Sequence, residues 1–127
     1  METTNHKKTP YRIADDLLAF IAPSLEGEQA MAVATVVHEL ARDYVQVRKA
    51  LRSDYESLAS SAKREIETID NGKRPYNWIA STANSISENH GKLQSLEDAL
   101  RCQQFMLETV YKIESVGGID IFQYLND

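Results

Sequence analysis

The sequence predicts an all-α protein, a helical bundle built on a long antiparallel helical hairpin. Three observations carry that expectation. Only five Gly and three Pro occur in 127 residues, too few for a fold made of strands and tight turns. Those eight residues fall at Pro10, Pro23, Gly27, Gly72, Pro75, Gly91, Gly117 and Gly118, and positions 28–71 contain neither type. That long interval is filled by an in-phase apolar stripe: Val33, Val36, Leu40, Tyr44, Val47, Leu51, Tyr55, Leu58, Ala62, Ile66 and Ile69. The steps of three and four form an eleven-residue repeat of about 3.67 residues per turn, close to an unstrained helix, so the stripe stays on one side with little supercoiling.

The elements follow in order. Thr9 is a good N-cap and Pro10 suits the first helical position, where its missing N–H had no partner in any case. Ile13, Leu17, Phe20 and Ile21 then make one apolar face of a helix over about 10–22, which Pro23 ends. The second helix covers about 26–70. A break at Ser53 is the rival reading, because Ser53 and Glu56 are spaced as a capping box. The stripe keeps phase across Ser53, which favours continuity. Asn71-Gly72 stops this helix, with Gly supplying the left-handed cap.

Pro75 opens a third helix over 75–90, with Tyr76, Ile79, Ala80, Ala83, Ile86 and His90 on its face. Gly91 breaks or kinks it, and Ser95 with Asp98 offers a fresh capping box for a fourth helix over 92–116. There Leu93, Leu96, Ala99, Leu100, Cys102, Phe105, Met106, Leu107, Val110, Tyr111, Ile113 and Val116 spread around most of the circumference. A helix apolar on so many sides touches several neighbours and is expected at the centre. Gly117-Gly118 ends it, and Ile121, Phe122 and Leu125 suggest a last apolar turn over 119–126 that docks back. The stripe of the second helix widens at Ala30, Ala34, Val37, Ala41 and Val45 and narrows beyond Leu51. The expected picture is one all-α domain over 1–127: a helical base, an antiparallel arm projecting from it, and a flexible tail over 1–8.

Composition narrows the function classes. At 43% hydrophobic and 26% charged the chain can bury a core, which argues against disorder. A single Cys excludes an internal disulfide and fits a reducing, cytoplasmic setting. Asp15 and Asp16 interrupt the first apolar stretch, and Ala30–Val37 is too short to span a bilayer, so no membrane partner is expected.

Chemistry-bearing patterns are sparse. His38-Glu39 lacks the second His of a zinc-protease motif, and no ExxH pair occurs. His90 on its apolar face reads as a satisfied core residue, His38 as plain surface, and Cys102 as an inert buried thiol. Glu39 and Asp43 straddle Arg42, a salt-paired solvated face. No catalytic residue, metal ligand or cofactor is assigned, and a small all-α nucleotide-hydrolysing enzyme ranks third among the readings.

The net charge of −5 is uneven. Residues 42–74 carry eight basic and six acidic groups, net +2, while 1–41 and 75–127 sum to −3 and −4. Lys73, Arg74, Tyr76 and Trp78 join cations to aromatics at the hairpin tip 71–78, the candidate partner-binding residues. Trp78 either closes the hairpin end against the second helix or meets a partner. The expected function is a non-enzymatic protein–protein interaction protein: an adaptor, an accessory subunit or a small acidic inhibitor or immunity-type protein that blocks a partner. Its partner is another protein, and the apolar seam along the hairpin suits a homodimer. The alternative is an accessory subunit of a ribonucleoprotein contacting nucleic acid through 42–74, disfavoured by the overall charge.

Overall fold

A computed structural model describes residues 8–21, 27–109 and 119–126. These form three α-helices, α1 (Pro10–Ile21), α2 (Gly27–Asp70) and α3 (Ile79–Thr109), and a C-terminal 3₁₀ turn, Ile121–Tyr124. The two long helices pack against each other as an all-α hairpin bundle. Helix α2 runs unbroken through Ser53, as the unbroken phase of its stripe implies.

Helix α3 departs from expectation in two ways. It begins at Ile79, not Pro75, because Asn77 adopts a left-handed backbone (φ 60°) that no helix can contain. It also continues straight through Gly91, joining two segments expected to be separate. A single interior Gly costs about 1 kcal/mol, which packing along the rest of a 31-residue helix offsets. Ser95 and Asp98 lie inside the helix and start nothing. Val110, Tyr111, Ile113, Val116 and the Gly117-Gly118 stop lie outside the described residues, as do Pro23 and residues 1–7. Lys8, at the end of the expected tail, donates to Gln123 Oε1 at 2.8 Å.

The chain divides into two compact units, Met1–Val45 with Ser95–Asp127, and Gln46–Gln94. The first holds the core. Ile13, Leu17, Ala30, Ala34, Val37, Ala41, Leu100, Leu107, Ile121, Tyr124 and Leu125 are buried together. On α2 the buried row is therefore Ala30-Ala34-Val37-Ala41-Val45, and the expected stripe flanks it: Val33, Leu40 and Tyr44 are half-buried and Val36 is exposed. Alanines at the contact let neighbouring backbones approach closely, so the widened edge of the stripe became its centre. Helix α3 is less enclosed than its apolar arc implied. Leu100 and Leu107 are buried, yet Cys102 is exposed and Phe105 is 62% exposed.

Polar contacts fasten this unit. Thr9 and Pro10 start α1 as expected, the Thr9 carbonyl accepting from Arg12 N at 3.0 Å. His38 is not plain surface. It is half-buried, and its Nδ1 donates to the Pro10 carbonyl at 2.8 Å, since a carbonyl only accepts. The Gln104 amide holds the C-terminal segment by both ends, accepting from Ile121 N (2.8 Å) and donating to the Ile119 carbonyl (3.0 Å). Asp120 caps the 3₁₀ turn by accepting from Phe122 N. Ile121 and Leu125 dock as expected, while Phe122 stays exposed and Tyr124 takes its place in the core.

Tyr124 donates to Asp16 Oδ2 at 2.6 Å, tying the turn to α1. Burial first, and then the hydrogen bond to Asp16 and its charge, hold this phenol well above the usual tyrosine value of 10. The unfolded phenol ionises near pH 10 and the folded one higher, so the stabilisation is complete below about pH 10 and drains as pH rises further. Tyr124→Phe should cost roughly 1.5–3 kcal/mol at pH 7. In urea melts, the gap between wild type and variant should narrow by about 1.4 kcal/mol per pH unit above 10. A gap unchanged between pH 9 and 11 rules the Asp16 bond out.

The second unit is the hairpin proper, and polar residues share its helix–helix seam with Leu51, Leu58, Ile79, Ile86 and Leu93. Asp54 Oδ2 accepts from Ser85 Oγ (2.8 Å) and Asn89 Nδ2 (2.9 Å). Along this stretch α2 buries or half-buries Leu51, Asp54, Leu58, Ser61, Ala62, Glu65 and Thr68. Tyr55, Ile66 and Ile69 of the expected stripe are instead exposed. Across from them Thr82, Ser85, Ile86 and Asn89 turn inward, and Ala80, Ala83 and His90, expected on that face, do not. His90 is exposed and hydrogen-bonds Tyr55 through Nε2 at 2.8 Å.

Candidate functional site

The hairpin tip is built by backbone rules before any side chain acts. At the end of α2, Gly72 takes φ 75°, open to Gly without steric cost. Lys73 N then reaches the Thr68 carbonyl (3.0 Å) and Gly72 N the Ile69 carbonyl (2.9 Å). This pair of bonds is a Schellman motif, which satisfies carbonyls left without partners at the helix end.

The return strand of the turn is held by one carboxylate. Glu65, a turn and a half back on α2, accepts from Tyr76 N through Oε1 (2.9 Å) and from Asn77 N through Oε2 (2.7 Å). Two adjacent amides just before α3 therefore have an anionic partner at the positive end of that helix. Asn77 tolerates the left-handed bend that aims both amides at Glu65. Its carbonyl also accepts from Ala80 N at 3.4 Å, in the first turn of α3.

With the backbone fixed, the side chains form a platform. The Tyr76 and Trp78 ring centroids lie 5.6 Å apart with planes 35° from parallel. The Arg64 guanidinium sits over the Trp78 indole at 5.2 Å, a cation–π contact worth about 0.5–1 kcal/mol at an exposed site. Trp78 stacks on α2 through Arg64, yet 46% of its surface is open, against 66% for Tyr76. Lys73 and Arg74 are exposed on the same turn. Beside the rings lies an open hollow of about 180 Å³, lined by Arg64, Glu65, Glu67, Thr68, Asn71 and the two aromatics.

Sequence reasoning named Lys73, Arg74, Tyr76 and Trp78 and missed Arg64 and Glu65. Nothing local marks Glu65, whose partners lie eleven and twelve residues on. Only the fold closes that distance. Arg64 carries a weak signal, as a cation within two turns of the end of a helix whose return segment is aromatic.

The remaining chemistry-bearing residues do not assemble. Among the described residues no three His, Cys, Asp or Glu side chains gather where a metal ion could be held. A second hollow on α2, lined by Ser53, Glu56, Ser57, Ser60, Ser61 and Arg64, offers hydroxyls with no imidazole beside them. Arg42 and Asp43 pair loosely at 4.0 Å on an exposed face, as Glu39-Arg42-Asp43 suggested. Among the described residues no helix is long and apolar enough to cross a membrane. Comparison with protein families, with curated proteins and with solved structures finds no significant match to this chain.

Proposed function

We propose that this chain is a non-enzymatic helical interaction protein that binds a protein partner through the hairpin tip. One observation carries the reading: Tyr76 and Trp78 are large, exposed aromatics held in place by a bidentate Glu65 contact. Ordering an interface loop costs affinity, and a loop fixed beforehand avoids that cost. Trp, Tyr and Arg are also the residues on which binding energy concentrates. An adaptor, an accessory subunit or an inhibitor would each use such a tip.

The test is comparative capture from the native cell extract with wild type, Trp78→Ala and Tyr76→Ala. A partner kept by wild type should bind Trp78→Ala about 30-fold more weakly, the loss of roughly 2 kcal/mol typical of an interface hot spot, while circular dichroism stays unchanged. Equal capture by all three chains overturns the reading. A second reading rests on Lys73, Arg74 and Arg64 beside two rings, which suits base stacking along a single strand. It requires oligouridylate binding that falls steeply with salt and is lost in Lys73→Ala and Arg74→Ala.

A further inference from the structure

Beyond the tip, the hairpin unit carries a second feature without an assigned purpose. Helix α2 there has two seams. The inner one, buried or half-buried, is Leu51, Asp54, Leu58, Ser61, Glu65 and Thr68 with Ala62 at its edge, and four of these seven are polar. The outer one is Tyr55, Ala59, Ala62, Ile66 and Ile69, stepping by four, three, four and three, and every member is apolar or aromatic. The larger residues of the outer seam are open to water: Tyr55 is 47%, Ile66 59% and Ile69 55% exposed. Tyr55 also hydrogen-bonds His90 of α3 and Ala62 is half-buried, so the uncovered part of this seam is chiefly Ala59, Ile66 and Ile69. At 100° per residue it lies roughly a quarter turn from the inner seam, which is where a helix of a four-helix bundle meets its second neighbour.

Steps of four and three are a heptad pattern, with Tyr55, Ala62 and Ile69 at d and Ala59 and Ile66 at a. The flanking e positions are then Glu56, Lys63 and Asp70. If a second copy of α2 lies antiparallel on this seam with a opposite d, Tyr55 meets Ile66 and Ala59 meets Ala62. The same register sets Glu56 opposite Lys63 at both ends of the dyad, and Asp70 opposite Lys49. Both e–e pairs are of opposite sign; the same register sets Ile69 opposite Arg52 and brings the g positions Leu58 and Glu65 together. A parallel arrangement would oppose each residue to itself, Glu56 to Glu56 and Lys63 to Lys63. The small Ala59–Ala62 layer at the centre lets the two backbones come close.

From the exposed outer seam and its self-complementary charges, we infer that two copies of this chain associate antiparallel through α2, closing a four-helix bundle from the two hairpins. This goes beyond the tip reading and fails or stands independently of it. Sedimentation of the full chain tests it. Wild type should be a dimer at micromolar concentration. Ile66→Glu, Glu56→Lys and Lys63→Glu should each weaken dimerisation about a hundredfold, equivalent to some 2.8 kcal/mol. The double variant Glu56→Lys/Lys63→Glu should restore the dimer. All three positions are exposed, so folding is preserved, and circular dichroism checks this. A wild-type monomer overturns the proposal. So does a dimer indifferent to Ile66→Glu, or one that the double variant does not restore.

Discussion

Replacing Leu100 with alanine is expected to cost about 3 kcal/mol of folding stability, from the lost transfer energy of a buried isobutyl group and the cavity it leaves. Leu100 is fully buried and belongs to the cluster that joins α1, the alanine row of α2, α3 and the C-terminal turn. Its neighbours Ala30, Ala34 and Ala41 are too small to refill the space, which places the cost in the middle of the usual range rather than at its foot. For a chain of this size the melting temperature should fall by roughly 10 °C. Phe105→Ala provides the contrast. Phe105 is larger but 62% exposed, so it should cost less than about 1 kcal/mol. Thermal melts of the two variants decide between an enclosed Leu100 and an enclosed Phe105. The apolar arc of the helix alone counts both as members and does not separate them.

The contrast between Leu100 and Phe105 shows what hydrophobic periodicity can and cannot convey. The existence of α1, the unbroken length of α2 and the Asn71-Gly72 stop were all legible, because each rests on local backbone chemistry. Facing was not. The stripe from Val33 to Ile69 marks where apolar side chains lie on α2, and the core formed on the adjoining row of alanines, whose contribution is close approach and not area. In the hairpin the error is of another kind. Asp54 faces α3 because Ser85 and Asn89 supply partners for its carboxylate, and such compensation is invisible until both helices are placed. The same holds for the tip. Its aromatics and cations stood out by composition, whereas Glu65 is an ordinary acidic residue in a charged helix until the return segment brings two amides to it. Gln104, which clasps the C-terminal segment from α3, is a further case. A polar side chain whose partner is backbone leaves no pattern in the sequence.

Glu65→Ala should release the tip while leaving the rest of the hairpin folded. The substitution deprives Tyr76 N and Asn77 N of their acceptor at the same time, and water must then solvate both. Hydrogen bonds to a charged group are worth about 1.5–3 kcal/mol each, but these are on the exposed side of the molecule, so a joint loss of about 1–2 kcal/mol is expected. The functional effect is larger than the stability effect. Asn77 keeps its left-handed bend only while something holds the amides that bend presents, and without Glu65 the Tyr76–Trp78 pair is no longer fixed before binding. Affinity for a tip-bound partner should drop about tenfold or more, since the loop must then be ordered at the moment of binding. Trp78 is the only tryptophan in the chain, so its emission reports this site alone. In Glu65→Ala the emission should shift to longer wavelength, lose anisotropy and become more accessible to acrylamide. Glu65→Gln should fall between, because it keeps one acceptor oxygen but turns an NH₂ donor toward the second amide. Emission and quenching identical to wild type in both variants would mean that the tip stands without the carboxylate. Arg64→Ala separates the two supports of the indole: it removes the cation from the Trp78 face but leaves both Glu65 bonds in place. It should therefore change the quenching of Trp78 and spare most of the affinity.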